Sequence, residues 1–562
     1  MRQPTTSPPP SVLPDISPAR GEIRLSSTVS PISSFARDES ALKLPISPLA
    51  GGEKWSAQRT KSQRFAFSND ERPKHKRRAG SGRTEGGGDA GRRPTSLLLT
   101  LIFLACIATF LNTSPAFAHA SDRGYVLLMP TGYYLTGGAI AVAASFLVLA
   151  ILPPALLKRI AAKRLALFAV NNGLRLLTSL IAFAIFATLI AAGFLGSRDP
   201  LSNPLPLTIW TLLWVGLTLV QGVFGNLWAW INPWYGPWRV ATAIFPALRD
   251  RRLPQWAGYW PALILFFAFA WFELIDPAPD DPARLAWAAG IYWLMSFLAV
   301  IAFGYEDWSR RGEFLSVFFR MVSRFGMVEA ARPENRTSLC LPGAKLWAAN
   351  PLPASGMFFL LLSLSSVSFD GLSKTFFWLG LNGINPLEFP GRSAVMTTNT
   401  IGLVLIFAAL SAVYLLAVLL GERLAGSRLP FARSAGLLVW SIVPIALAYH
   451  FSHYLTAFLV NGQYALVAIS DPFSSGWDVF GTAGFQVGAG IVAGYQSAWA
   501  LWNAQAAAII GGHVLAVLIA HGLAYRLHPT ARQAALSQLP LTILMIGYTV
   551  FGLWLLSTPT AG

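Results

Sequence analysis

The run AGLLVWSIVPIALAYHFSHYLTAFLV, Ala435 to Val460, carries no formal charge beyond what its two histidines can take up. An apolar stretch of this length reads as a membrane-spanning helix, because about 20 residues rising 1.5 Å each cross the roughly 30 Å hydrocarbon layer. Imidazole is costly to bury in hydrocarbon without a partner, so His450 and His453 are functional candidates at once. On a helix they are about 300° and roughly 4.5 Å apart, which puts them on one face. A second run, Trp499 to Leu523, holds Gly511-Gly512-His513 and Ala520-His521, so four of the seven histidines lie in these two runs.

Outward from this pair the same pattern repeats. Apolar stretches with at most one charged residue each occur at Tyr133–Leu152, Leu174–Leu195, Thr208–Trp228, Gly258–Ile275, Leu285–Gly304, Ser355–Phe369, Ala394–Leu420 and Leu539–Leu556. With the two histidine runs they predict ten spans. A chain of 562 residues that is 54% hydrophobic and 12% charged is thus read as an all-α polytopic membrane protein. The apolar runs are continuous rather than alternating, which excludes a closed barrel. No solenoid period or inverted repeat is visible.

The net charge of +17 does not describe a nucleic-acid surface. Basic residues gather in the first 91 positions and in alternate connections: Lys158-Arg159 with Lys163-Arg164, Arg249 to Arg252, Arg310 to Arg336, and Arg423 to Arg433. The intervening connections carry Asp199, Asp276 to Asp281, Asp471 and Asp478. The positive-inside rule then expects the basic connections in the cytoplasm of a bacterial inner membrane, and the mature N- and C-termini on the periplasmic side.

Three regions follow from composition. Residues 1–91 are rich in Pro, Ser, Gly and Arg without apolar periodicity and are expected to be disordered. Residues 92–118 have the parts of a signal peptide: Arg92-Arg93, an apolar core from Leu97 to Leu111, and Ala116-Phe117-Ala118. Its position is read as a translation start downstream of Met1; the alternative is a true cytoplasmic extension with Leu97 to Leu111 retained as an anchor. Cleavage would leave His119 first in the polytopic region 119–562, where an incidental His is favoured over a Cu(II) chelate. Cys106 and Cys340 make neither a disulfide framework nor a metal motif.

If the eighth and ninth spans are set at the outer interface by Val460 and Trp502, His450 and His513 are level, about 15–17 Å down. The expectation is a divalent metal, zinc or copper, on His450, His453 and His513 with a position left open, set against each His simply bonding a neighbouring helix through Tyr449, Tyr454 or Gln505. Haem is disfavoured, because di-haem bundles use pairs about four turns apart and spacings of three and eight do not supply that. His521 and His528 lie too far toward the inner side. Candidate catalytic carboxylates sit toward the outer end: Asp370 after a serine-rich span, with Asp471 and Asp478 in the loop after the histidine pair, while Glu273 and Asp276 close the fourth span. The glycine-rich stretch Asn461 to Gln496 is expected to fold back as a cap, the aromatics from Asn226 to Trp238 to form an interfacial belt, and Phe314 to Arg320 to lie in the headgroup plane.

Ser452-His453-Tyr454-Leu455, Gly462-Gln463, Ser470-Asp471-Pro472-Phe473 and Gly476-Trp477-Asp478-Val479-Phe480-Gly481 together resemble the bacterial membrane proteins of the fenitrothion hydrolase family. So do Gly225-Asn226-Leu227-Trp228, Asn232-Pro233-Trp234, Phe369-Asp370-Gly371, Gly512-His513-Val514 and a His directly after a leader. The likeness covers most of the chain after Leu97 and none of the tail. It implies cleavage of a lipophilic organophosphate triester at a membrane, alone or with a partner subunit, and carries no catalytic residue across. Three functions remain open: a membrane metallohydrolase, a transporter or metal-handling protein using the histidines as a way-station or proton relay, and a structural subunit of a complex.

Overall fold

The computed structural model describes residues 126, 129–151, 159, 162–169, 172–331 and 336–561. The basic tail, the leader-like segment, Cys106 and His119 lie outside the described residues. The protein is an α-helical bundle, and ten helices are long and apolar enough to cross a membrane: Thr131–Ala150, Gly173–Leu195, Pro204–Phe224, Gln255–Leu274, Pro282–Phe303, Ala354–Ser373, Arg392–Leu424, Phe431–Ala468, Tyr495–Leu527 and Ala531–Ser557. They are called the first to tenth spans below. Each sequence-predicted span is present.

Local chemistry sets several starts. Asn203 accepts from Leu205 N ahead of Pro204, Asp281 accepts from Arg284 N ahead of Pro282, and Thr530 accepts from Gln533 N. Each side chain satisfies an otherwise orphaned first-turn N–H, and Pro at the first helical position has no N–H to lose. Over Leu207–Leu217 the third span winds as a π-helix, a register that often accompanies functional positions.

The core lies around three spans. Buried residues make up 83% of the apolar window of the sixth span, 72% of the eighth and 56% of the ninth, against 22% and 17% for the first two, which face outward. The sixth span tolerates its serines because each bonds back to its own helix: Ser363 to Leu360 O, Ser365 to Leu361 O, Ser366 to Ser363 O and Ser368 to Leu364 O. Helices approach closely where side chains vanish. A Cβ on Gly421 would stand 1.9 Å from Ser537 O of the tenth span, and one on Gly512 2.5 Å from Ala448 Cβ of the eighth.

Contacts between connections sort the two ends of the bundle as the charge pattern expects. At the basic end the connection after the first span and that after the fifth form one antiparallel sheet, β1 (Arg164–Ala169), β2 (Val328–Ala331) and β3 (Arg336–Cys340) in the order β1-β3-β2. Arg164 faces Cys340, and Val328 faces Leu339. At the acidic end Arg198 pairs with Asp281, Arg392 Nη1 donates to Glu273 O and Asp276 O, and Thr375 bridges to Thr560.

Two interfacial expectations are corrected. The helix Phe314–Val322 does not lie in a headgroup plane: apart from Arg320 all its side chains are buried, and Phe314 and Phe318 stack on Phe266. Its N-cap Glu313 accepts from Leu315 N and Ser316 N and from the Tyr292 hydroxyl, halfway along the fifth span. The chain therefore turns back into the bundle here. The aromatics after Asn226 are core rather than belt, with Trp228, Trp234 and Trp238 buried and Trp228 Nε1 donating to Ser316 Oγ. Hydrophobicity alone cannot separate a side chain facing lipid from one facing protein, because both surroundings are apolar.

Candidate functional site

The eighth span is continuous from Phe431 to Ala468, eight residues beyond the predicted end, and the ninth begins at Tyr495. His450 and His513 each stand 18 residues from the outer end of their helix, about 27 Å along it, so the two are level as the depth argument requires. Contacts agree, since Gly512 packs on Ala448 and the rings of His513 and Tyr449 are 6.1 Å apart.

Direction, however, separates the three rings. His450 Nε2 lies 2.9 Å from Trp214 O, in the π-helical stretch of the third span. His453 Nε2 lies 2.6 Å from Asp370 Oδ2 of the sixth span. His513 Nδ1 lies 2.8 Å from Ile509 O of its own helix, between Tyr449 and Tyr548. The expected zinc or copper centre on His450, His453 and His513 is thus not assembled, and among the described residues no three His, Cys, Asp or Glu side chains are grouped to hold an ion. His513 Nε2 is buried with no hydrogen-bond partner, but one orphaned nitrogen is not a ligand set. Gln505 pairs with Ser452 rather than with a histidine, through Nε2 to Ser452 O and Ser452 Oγ to Gln505 O. His521 bonds Gln538 and His528 bonds Glu422, away from this region as the sequence placed them.

What the fold assembles instead is a polar cluster around Asp370. Its Oδ2 receives His453 Nε2 at 2.6 Å and the Tyr454 hydroxyl at 3.1 Å; its Oδ1 receives Lys374 Nζ at 3.1 Å. The Tyr454 hydroxyl is also 2.8 Å from Glu273 Oε1, on the fourth span. Three spans, the fourth, sixth and eighth, thus supply one connected chain, Glu273–Tyr454–Asp370–His453. Asp370 is buried, and its charge is met by a cation and two donors, as a buried carboxylate requires.

Tyr454 has one hydroxyl proton and stands between two carboxyl groups, so both contacts are hydrogen bonds only when one carboxyl carries a proton of its own. The chain also separates two cavities. One, of about 460 Å³, is lined by Asp370, Lys374, Tyr449, Ser452, His453 and Gln505 together with apolar side chains of the ninth and tenth spans. The other, of about 160 Å³, is lined by Trp214, Glu273, Asp280, Arg392 and Tyr454. Asp370 and Lys374 line both. With Nε2 committed to Asp370, His453 keeps Nδ1 free of any protein partner among the described residues, on a ring that lines the larger cavity.

The other two candidate carboxylates do different work. Asp471 accepts from Ser475 N at 2.9 Å and Gly476 N at 2.8 Å, closing a turn. Asp478 accepts from Ala483 N and Ser470 Oγ, which hold its carboxyl below the usual range. Neither lines the cavities that Asp370 lines. Their loop does fold back, with Thr482 Oγ1 donating to Leu466 O and Gly488 N to Gln463 Oε1. Lys374 is the one member of the cluster that the sequence reading passed over. Its spacing of four from Asp370 on a helix was the available signal.

No family model, no curated protein and no solved structure matches this chain.

Proposed function

We propose that the chain is a membrane-embedded proton-handling protein, and that Asp370–His453 is its acid–base dyad. The observation that carries this reading is the unbroken run Glu273–Tyr454–Asp370–His453 between two cavities. Asp370 orients the imidazole through Nε2, so that Nδ1 acts as the base toward the larger cavity. A proton taken up at Nδ1 releases the Nε2 proton to Asp370. Asp370 then donates to the Tyr454 oxygen while the Tyr454 proton passes to Glu273, so one proton enters at His453 and one arrives at Glu273. Relays of this kind are a known use of intramembrane carboxylates and histidines. In this reading the basic end faces the cytoplasm of a bacterial inner membrane and the acidic end the periplasm.

A second reading is favoured by the apolar walls of the larger cavity and by the family resemblance. There His453 takes a proton from water that attacks a lipophilic organophosphate ester arriving from the bilayer, with Lys374 beside the developing negative charge, and a partner subunit is an option. A metal step is not part of either reading, since the histidines do not fit one shared ion.

Proteoliposomes with an internal pH-sensitive dye separate the two. The relay expects a pH-jump response that Tyr454→Phe and Glu273→Gln abolish. Wild-type flux in both variants refutes it. Turnover of a chromogenic phosphotriester by the purified chain, lost in His453→Gln but kept in Glu273→Gln, assigns the hydrolase instead.

A further inference from the structure

The strongest unexplained feature outside this cluster lies at the opposite, basic end. A cleft of about 740 Å³ is lined by Arg252, Arg310, Arg311 and Arg320 with Tyr259, and Asp307 is the one carboxylate in its wall. The cleft is built from three elements: the chain entering the fourth span, the helix Tyr305–Arg311, and the buried helix Phe314–Val322.

The four guanidinium groups are not equivalent. Arg311 is structural, pairing with Asp307 at 3.2 Å and donating to Leu253 O at 2.6 Å. Arg320, the only side chain of its helix that is not buried among apolar neighbours, donates to Ser309 O at 3.2 Å and to Arg310 O. Carbonyl oxygens satisfy its N–H groups but leave its charge unneutralised. Arg310 has only a 3.6 Å contact to Glu306, with both side chains half exposed, and exposed pairs of this kind contribute little. Arg252 is exposed, with no carboxylate partner among the described residues. Three cations thus converge on one cleft whose single wall carboxylate, Asp307, is already paired with Arg311, and of the three only Arg310 has an ion contact, the exposed one to Glu306.

Next to the cleft the surface turns apolar. Trp256 is 85% exposed and Trp260 45% exposed, within one turn or so of Gln255 and Tyr259 in its wall. An arginine cleft rimmed by exposed indole rings, at the basic end of a membrane bundle, matches an amphiphile whose anionic head sits among the guanidinium groups and whose chains lie against the tryptophans. Arginine suits a phosphate oxyanion because its planar fork bonds two oxygens at once.

From this convergence we propose that the Arg252–Arg310–Arg320 cleft binds a phosphate-bearing anion, supplied by the headgroup of an acidic phospholipid. The proposal does not depend on the proton-handling reading, since the cleft shares no residue with the Asp370 cluster.

The test uses the full chain in mild detergent, with bound lipid counted by native mass spectrometry after addition of phosphatidylglycerol or phosphatidylcholine. The variant is Arg252→Gln with Arg310→Gln, chosen because neither side chain clamps a loop as Arg311 does. Wild-type protein is expected to retain phosphatidylglycerol over phosphatidylcholine, and the double variant to bind it about twenty-five-fold more weakly, at roughly fivefold per arginine. Phosphatidylcholine retention should be unchanged, which also reports that the variant is folded. Inorganic phosphate is titrated in a second arm. Displacement of phosphatidylglycerol from wild type by millimolar phosphate supports an oxyanion site at the guanidinium groups. Equal retention of the two lipids by wild type, or equal phosphatidylglycerol retention by wild type and variant, overturns the site.

Discussion

Asp370→Asn removes one negative charge while keeping the side-chain shape, and the structure sets the size of the effect. Hydrogen bonds to charged groups contribute about 1.5–3 kcal/mol and neutral ones about 0.5–1.5, so discharging the 2.6 Å contact to His453 costs about 1–1.5 kcal/mol. The Tyr454 hydroxyl loses less, because it is already 2.8 Å from Glu273 and can donate there instead. The Lys374 ammonium is 47% exposed, so its lost ion pair is screened and adds at most about 1 kcal/mol. The sum is about 2–3 kcal/mol, measurable as a shift in unfolding on titration with SDS in mixed micelles. Function should fall further than stability. When the Asn amide faces His453, Nε2 must accept, so the ring proton moves to Nδ1 and the cavity-facing atom changes from base to donor. Loss of a positioned base removes about 10²–10⁴ in rate. Asp370→Asn protein with the wild-type unfolding midpoint and undiminished proton flux or ester turnover would refute the dyad.

Asp471→Asn should leave flux and turnover within about twofold of wild type, because Asp471 closes a turn outside both cavities; a larger loss would return that loop to the site. Gly421→Ala should destabilise by about 1–3 kcal/mol, since its Cβ would meet the Ser537 carbonyl at 1.9 Å and backbone must move. Gly547→Ala, with nothing within 4 Å, should instead stabilise the tenth span by up to about 1 kcal/mol in the same SDS titration. Elemental analysis should find equal metal content in wild type and in His450→Ala, His453→Ala and His513→Ala. Coordinate loss of metal in all three would restore the shared centre that the ring directions argue against. An alkaline phosphatase fused at the C-terminus should be active, and one fused after Arg249 inactive; the reverse would invert the orientation.

The spans were legible because bilayer thickness imposes a length that composition reports directly, and contacts at both ends of the bundle follow the alternation of charge. Depth was legible for the same reason. A rise of 1.5 Å per residue fixes how far His450 and His513 lie along their helices, and they are level even though both helices run longer than their apolar cores implied. Azimuth was not legible. Whether a ring on the eighth span meets the third, sixth or ninth depends on which helices surround it, and with apolar residues on nearly every face the sequence carries no stripe to say so. His450 and His453, a nominal 60° apart around the helix, end on Trp214 of the third span and Asp370 of the sixth. The same ambiguity buried Phe314–Val322 and the tryptophans after Asn226 in protein where lipid was expected. Charged residues escaped it in part. Asp370 was identifiable because a lone carboxylate in an apolar run must find a partner, and Lys374 four residues on is the partner that helical spacing offers. The Asp370 cluster was therefore readable at Asp370 itself and, through a spacing left unused, at Lys374, while the bonds to His453, Tyr454 and on to Glu273 cross between helices and needed the fold.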